Sequence, residues 1–126
     1  MTSQNRADTR VLLVEDDGAL NEVFSLMLDK LGYRVETAFN GQEALVKIAA
    51  HKPDLILLDL LMPIMDGKEF LRRFPDTASV PVIVFSNLDT KSEVKDVMDL
   101  GARRYMLKAW VTPSELLKVI EDTLRD

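Results

Sequence analysis

Leu55-Ile56-Leu57-Leu58-Asp59 sets four branched aliphatic side chains in a row and stops at a carboxylate. A strand with one wet face alternates apolar and polar residues. An unbroken apolar run of this length between turn residues fits a strand covered on both faces, as in a parallel sheet between helices. Two further runs follow the same rule, Val11-Leu12-Leu13-Val14 before Glu15-Asp16-Asp17 and Val82-Ile83-Val84-Phe85 before Ser86, and the shorter run Tyr105-Met106-Leu107 likewise ends at a polar residue, Lys108. Tyr33 to Ala38 does alternate, which assigns it to a sheet edge.

Helices are expected between these strands. Leu20, Val23, Phe24, Met27, Leu28 and Leu31 follow helical spacing, with Asp17 as N-cap and Gly32 as the stop. Asn40 with Glu43 opens a second helix whose inner stripe is read as Ala44, Leu45, Ile48 and Ala49. Leu60 to Gly67 contains Pro63 and Asp66-Gly67 turn chemistry and leads to a short helix carrying Phe70, Leu71 and Phe74, limited by Pro75. Thr90 with Glu93 and Thr112 with Glu115 fit capping boxes, the second with Pro113 at its first turn. The inner residues of these last helices are Val94, Val97 and Met98, then Leu116, Leu117, Ile120 and Leu124; Trp110 reads as packing between last strand and last helix. Strand and helix alternating five times require right-handed crossovers. The expectation is an α/β, doubly wound, five-stranded parallel sheet in the order 2-1-3-4-5, with the apolar strands central and the alternating one at an edge.

The 126 residues fit one domain. Residues 1–9 read as a flexible lead and 10–126 as the domain. Cysteine is absent, which excludes disulfides, thiolate ligands and cysteine nucleophiles. A net charge of −5 without a basic cluster argues against direct nucleic-acid binding. Neither a secretory leader nor a membrane-length apolar stretch is present, so a cytoplasmic protein is expected.

In a parallel sheet the strand ends meet along one edge, where ligands of open α/β folds bind. Glu15, Asp16 and Asp59 would converge there, and carboxylates about 5 Å apart repel by about 3 kcal/mol per pair at an effective dielectric of 20. A Mg²⁺ ion would offset that repulsion and leave room for a phosphoryl oxygen, with Ser86 and Lys108 as donors to the anion. Taken singly, each feature has a plainer reading. The acidic run is a solvated turn and helix cap, Ser86 a turn residue, Lys108 a surface lysine and Tyr105 an edge-strand aromatic.

Taken jointly, the Glu15-Asp16-Asp17 run, Asp59, Met62-Pro63 with Met65-Asp66-Gly67, Ser86, Tyr105 and Lys108 resemble, in order and spacing over residues 10 to 125, the response-regulator receiver domain of two-component signalling. The resemblance implies the flavodoxin-like (βα)5 fold, with Asp59 as the nucleophile that accepts a phosphoryl group from a sensor histidine kinase or a histidine phosphotransfer protein. It implies Mg²⁺ held by Glu15, Asp16, Asp59 and the Leu61 backbone carbonyl, Asp16 being the better candidate for direct coordination. Ser86 would turn toward the phosphoryl group, Tyr105 would move inward, and Lys108 would pair with the new charge. The fourth helix, fifth strand and fifth helix would then present a switched surface to an output protein or to a second copy in a phosphorylation-dependent dimer. Such a protein catalyses its own phosphorylation and slow dephosphorylation while serving mainly as a switch. Because the chain ends after the fifth helix, a stand-alone module acting in trans, like a chemotaxis regulator, is expected, the alternative being a piece of a longer protein.

Three positions depart from the pattern. Ala109 stands where the family usually has a cis-linked proline, and cis would cost alanine about 2.5 to 4 kcal/mol. Asn87 replaces a small residue beside Ser86, narrowing access to Asp59 and adding an amide near the phosphoryl site. Leu61 and Leu88 make an apolar rim that cannot orient a hydrolytic water, so a long-lived aspartyl phosphate is expected. The competing functions are a pseudo-receiver binding module without phosphoryl transfer and a small metal-dependent phosphatase. The phosphatase would need a carboxylate where Leu61 stands. A flavodoxin-like cofactor binder would need a phosphate-cradling loop after the first strand.

Overall fold

The computed structural model describes residues 6–87 and 90–126, apart from the Trp110 side chain; the expectations for Leu88 and Trp110 lie outside the described residues. The strands are β1 (Arg10–Val14), β2 (Arg34–Ala38), β3 (Leu55–Leu58), β4 (Val82–Ser86) and β5 (Arg104–Leu107). The helices between and after them are α1 (Gly18–Lys30), α2 (Gly41–Ala50), α3 (Gly67–Arg73), α4 (Lys91–Asp99) and α5 (Pro113–Arg125), with a 3₁₀ turn over Lys108–Trp110. All strand pairs are parallel and the sheet order is β2-β1-β3-β4-β5. The unbroken apolar runs of β1, β3 and β4 are buried in the middle, and the alternating β2 is only partly buried at its edge.

Because side chains alternate across the sheet, each central strand feeds two cores. Val11, Leu13, Leu55, Leu57, Ile83 and Phe85 pack with Phe24 and Leu28 of α1 and Leu116 and Ile120 of α5. Leu12, Val14, Ile56, Leu58, Val82 and Val84 pack with Ala44 of α2, Phe70 and Leu71 of α3 and Val97 of α4. Each helix begins at a side-chain cap: Asp17, Asn40, Asp66, Thr90 and Thr112 each accept from a backbone N–H three residues on. After α1, Gly32 takes φ +100°, the left-handed conformation that ends a helix cheaply only at glycine.

Three helix positions read as inward are not. Val23 is 53% exposed, Met98 is 41% exposed and Ala49 lies on the surface. In α1 the sheet contact is made by Phe24 and Leu28, and Val23 lies about 100° round the helix from Phe24. Asn21, one turn before Phe24, is buried on the contacting face instead. The segment ahead of β1, read as a lead, is hydrogen-bonded from Arg6 onward: Arg6 Nε donates to the Leu31 carbonyl at 2.5 Å, and the Thr9 carbonyl accepts from Arg34 N–H at 3.0 Å. Among the described residues no helix is long and apolar enough to cross a membrane.

Candidate functional site

Sheet pairing continues one residue past the strands and so fixes the acids. Glu15 N–H donates to the Ala38 carbonyl and Asp59 N–H to the Val14 carbonyl, both at 3.0 Å, which sets Glu15 and Asp59 at the ends of adjacent strands β1 and β3. Asp59 Oδ1 accepts from Leu60 N–H at 2.9 Å, and the Leu60 carbonyl accepts from Gly67 N–H at 2.9 Å. The first residue of α3 thus closes onto the end of β3. A Cβ on Gly67 would lie 2.5 Å from the Asp59 carbonyl oxygen, so only glycine allows that approach.

These residues share a cleft of about 250 Å³ with Asp16, Ser86 and Lys108, rimmed by Asp17, Leu20, Leu61 and Asn87. Glu15 is fully buried, Asp59 is 5% exposed, Ser86 is 1% exposed, and Asp16 is exposed at the mouth. The Lys108 ammonium contacts Glu15 Oε1, stands 3.3 Å from Asp59 Oδ2, and lies 5.2 Å from the centre of the Phe85 ring. Glu15 Oε2 accepts from Asp17 N–H at 3.3 Å. Burial pushes the Glu15 carboxyl above its ordinary range, opposed by its bond to Lys108. Asp16 is also pushed up, first by partial desolvation and then by the neighbouring Glu15.

Within 4.8 Å of one another lie ligand oxygens of Glu15, Asp16 and Asp59. Three carboxylates beside one ammonium leave two uncompensated formal charges, and an all-oxygen donor set suits a hard divalent cation. Lys108 lies against Glu15, and Asp16 stands at the mouth of the cleft beside them. The resemblance foresaw Lys108 on the new phosphoryl charge; in the structure it already bridges Asp59 and Glu15. The Lys108–Ala109 peptide is trans, since no cis bond occurs among the described residues. Tyr105 lies outside the cleft, partly buried on β5 against the core beneath α2, α3 and α4.

Two features of the site escape sequence reasoning. Asn21 reaches the Glu15 carbonyl from α1, and its only signal is an amide interrupting an apolar stripe. Ile64, in the loop after Asp59, holds φ +69° and is 78% exposed. A β-branched residue in that region is strained. The loop is fixed on either side, by Met65 N–H donating to the Pro63 carbonyl at 2.7 Å and Gly41 N–H donating to the Met65 carbonyl at 2.9 Å.

Comparison with known proteins gives a consistent answer. Residues 11–121 match the family model of the response regulator receiver domain. The probable transcriptional regulator ycf27 of Cyanidium caldarium is 34% identical over 97% of this chain, and response regulator MprA of Mycobacterium tuberculosis is 38% identical over 92%. The chain spans about half the length of these relatives, 49% and 50% respectively. Among solved structures, the CheY-like receiver domain protein of Methanospirillum hungatei superposes with a TM-score of 0.86 at 30% identity, covering 93% of this chain and 94% of that one. The BeF3-activated N-terminal receiver domain of Klebsiella pneumoniae RstA also gives 0.86 at 30% identity, covering 94% and 100%.

Proposed function

The chain belongs to the response regulator receiver domain family, and from that premise we propose that Asp59 is its phosphoacceptor. A carboxylate oxygen of Asp59 bonds to the phosphorus of a phosphohistidine on a sensor histidine kinase or histidine phosphotransfer protein. The P–N bond breaks, the imidazole leaves and takes a proton from water, and an aspartyl phosphate remains. Glu15, Asp16, Asp59 and the Leu61 backbone carbonyl would hold Mg²⁺, which would supply charge neutralisation to the phosphoryl oxygens when bound. Lys108 pairs with the added charge, the Ser86 hydroxyl donates to a phosphoryl oxygen, and the Asn87 amide borders the same group while narrowing its approach. With Ser86 turned to the phosphoryl group, Tyr105 moves inward. The surface of α4, β5 and α5 then changes toward an output protein, in trans or as a phosphorylation-dependent dimer.

The observation that carries this reading is the Lys108 ammonium against both Glu15 and Asp59 in a cleft whose mouth holds Asp16. A module that only bound partners through its surface would gain nothing from enclosing two acids and a lysine beneath a third acid. The test is intact mass after incubation with acetyl phosphate and MgCl₂, for wild type and Asp59→Ala. Addition of one phosphoryl group to wild type alone is expected. No addition to wild type returns the chain to the pseudo-receiver reading.

A further inference from the structure

Asn21 is a polar residue in the middle of an apolar contact. It is 4% exposed and shares the sheet-facing side of α1 with Phe24 and Leu28. A buried carboxamide needs partners, and its two form a chain with one direction. Ser25 Oγ donates to Asn21 Oδ1 at 3.3 Å, and Asn21 Nδ2 donates to the Glu15 carbonyl at 3.0 Å. With Oδ1 accepting from the hydroxyl, the amide turns its NH₂ end to the strand.

The Glu15 main chain is thereby held on two sides, its N–H by the Ala38 carbonyl of β2 and its carbonyl by Asn21 of α1. That carbonyl belongs to the peptide leading into Asp16. Fixing its plane fixes the direction in which the Asp16 side chain leaves the strand. The Asp17 cap fastens the turn to α1, since Leu20 N–H donates to Asp17 Oδ1 at 3.1 Å, but it acts beyond the Glu15–Asp16 peptide.

We infer that Asn21 is a positioning residue for the cation site, holding the Glu15–Asp16 peptide so that both carboxylates converge with Asp59. The inference rests on the proposed reading of these acids as a Mg²⁺ site. Mutating a partner that holds a metal ligand in place commonly costs about 10- to 100-fold in metal affinity. An aliphatic side chain would pack better on this face of α1, and Asn21 trades that packing for control of one carbonyl.

The test titrates MgCl₂ by calorimetry into wild type, Asn21→Leu and Ser25→Ala, and follows the thermal unfolding of each in EDTA. Asn21→Leu should weaken Mg²⁺ about 10-fold or more. Ser25→Ala, which frees the amide to turn but leaves it in place, should show a smaller loss with metal-free unfolding close to wild type. With acetyl phosphate as donor, the Mg²⁺ concentration for half-maximal phosphorylation should rise by the same factor, while the rate at saturating Mg²⁺ stays near wild type. Variants that unfold earlier in EDTA yet bind Mg²⁺ with wild-type affinity would overturn the inference and leave Asn21 a packing residue. If Asn21→Leu does not fold, Ser25→Ala decides alone. A wild type that takes no Mg²⁺ sinks the Mg²⁺ reading as well, whereas a wild type that binds while both variants match it sinks only this inference.

Discussion

Ile64 and Leu61 show how single residues tune the loop behind Asp59. Ile64 is held at φ +69° with 78% of its surface in water, so the chain carries backbone strain there and little burial in return. For an L-residue the left-handed region costs about 1–2 kcal/mol, and asparagine tolerates it best after glycine. Ile64→Asn should therefore stabilise the protein by about 1 kcal/mol in urea unfolding; an unchanged or lower midpoint would show that the isoleucine side chain holds the loop. Leu61 is 66% exposed on the cleft rim and offers no hydrogen bond to a water attacking phosphorus. Leu61→Asn supplies one. Dephosphorylation of the acetyl-phosphate-loaded variant, followed with Mg²⁺ present, should run several-fold faster than in wild type. Slower decay in the variant would remove the apolar rim as the cause of a long lifetime.

At the scale of elements, the close approach of α3 to β3 makes Gly67 intolerant of a side chain that Gly18 of α1 has room for. A Cβ on Gly67 would meet the Asp59 carbonyl oxygen at 2.5 Å and Leu60 Cα at 2.8 Å, both backbone atoms that cannot step aside without moving Asp59. Gly67→Ala should cost about 1–3 kcal/mol as an overpacked contact and slow phosphorylation by acetyl phosphate. Gly18, at the start of α1, has nothing within 4 Å of its added Cβ, and Gly18→Ala should be neutral or stabilising by up to about 1 kcal/mol. Equal stability of the two variants in denaturant would contradict the contact. The elements themselves were largely legible because strong local signals agree: the apolar runs of β1, β3 and β4, the alternation of β2, and the side chains of Asp17, Asn40, Thr90 and Thr112 at four helix starts. The convergence of Glu15, Asp16, Asp59, Ser86 and Lys108 followed from strand order alone. What periodicity missed depends on tertiary angle. Val23 and Met98 lie on the flanks of their helices, where a small rotation decides exposure, and Asp66 read as a turn residue before it read as a cap. Asn21 leaves only a faint signal for a different reason: its partner on the strand is a backbone carbonyl, which leaves no mark in the sequence.

Across the whole molecule, the face opposite α2, α3 and α4 is closed by a residue whose ionisation reports on packing. Tyr33, just before β2, is 3% exposed in the core shared by α1 and α5. Burial, with a lesser push from Glu121 and a small opposing pull from Arg6, raises its phenol from 10.0 to about 12. The folded state therefore keeps the proton over a range in which the unfolded chain releases it, so the native form binds more protons and stability falls as pH rises from 10 toward 12. Below pH 10 the phenol is neutral in both states and contributes no slope. At 1.36 kcal/mol per unit the loss attributable to this group is at most about 3 kcal/mol. Lysine side chains also titrate in this range, so the informative quantity is a difference. Tyr33→Phe, which keeps the ring and removes the ionisable oxygen, should show a shallower decline in unfolding free energy between pH 10 and 12, its curve converging on or crossing that of wild type. Parallel curves would mean that the phenol reaches water in the folded protein, and that the core joining β2 to α1 and α5 is more open than its burial implies.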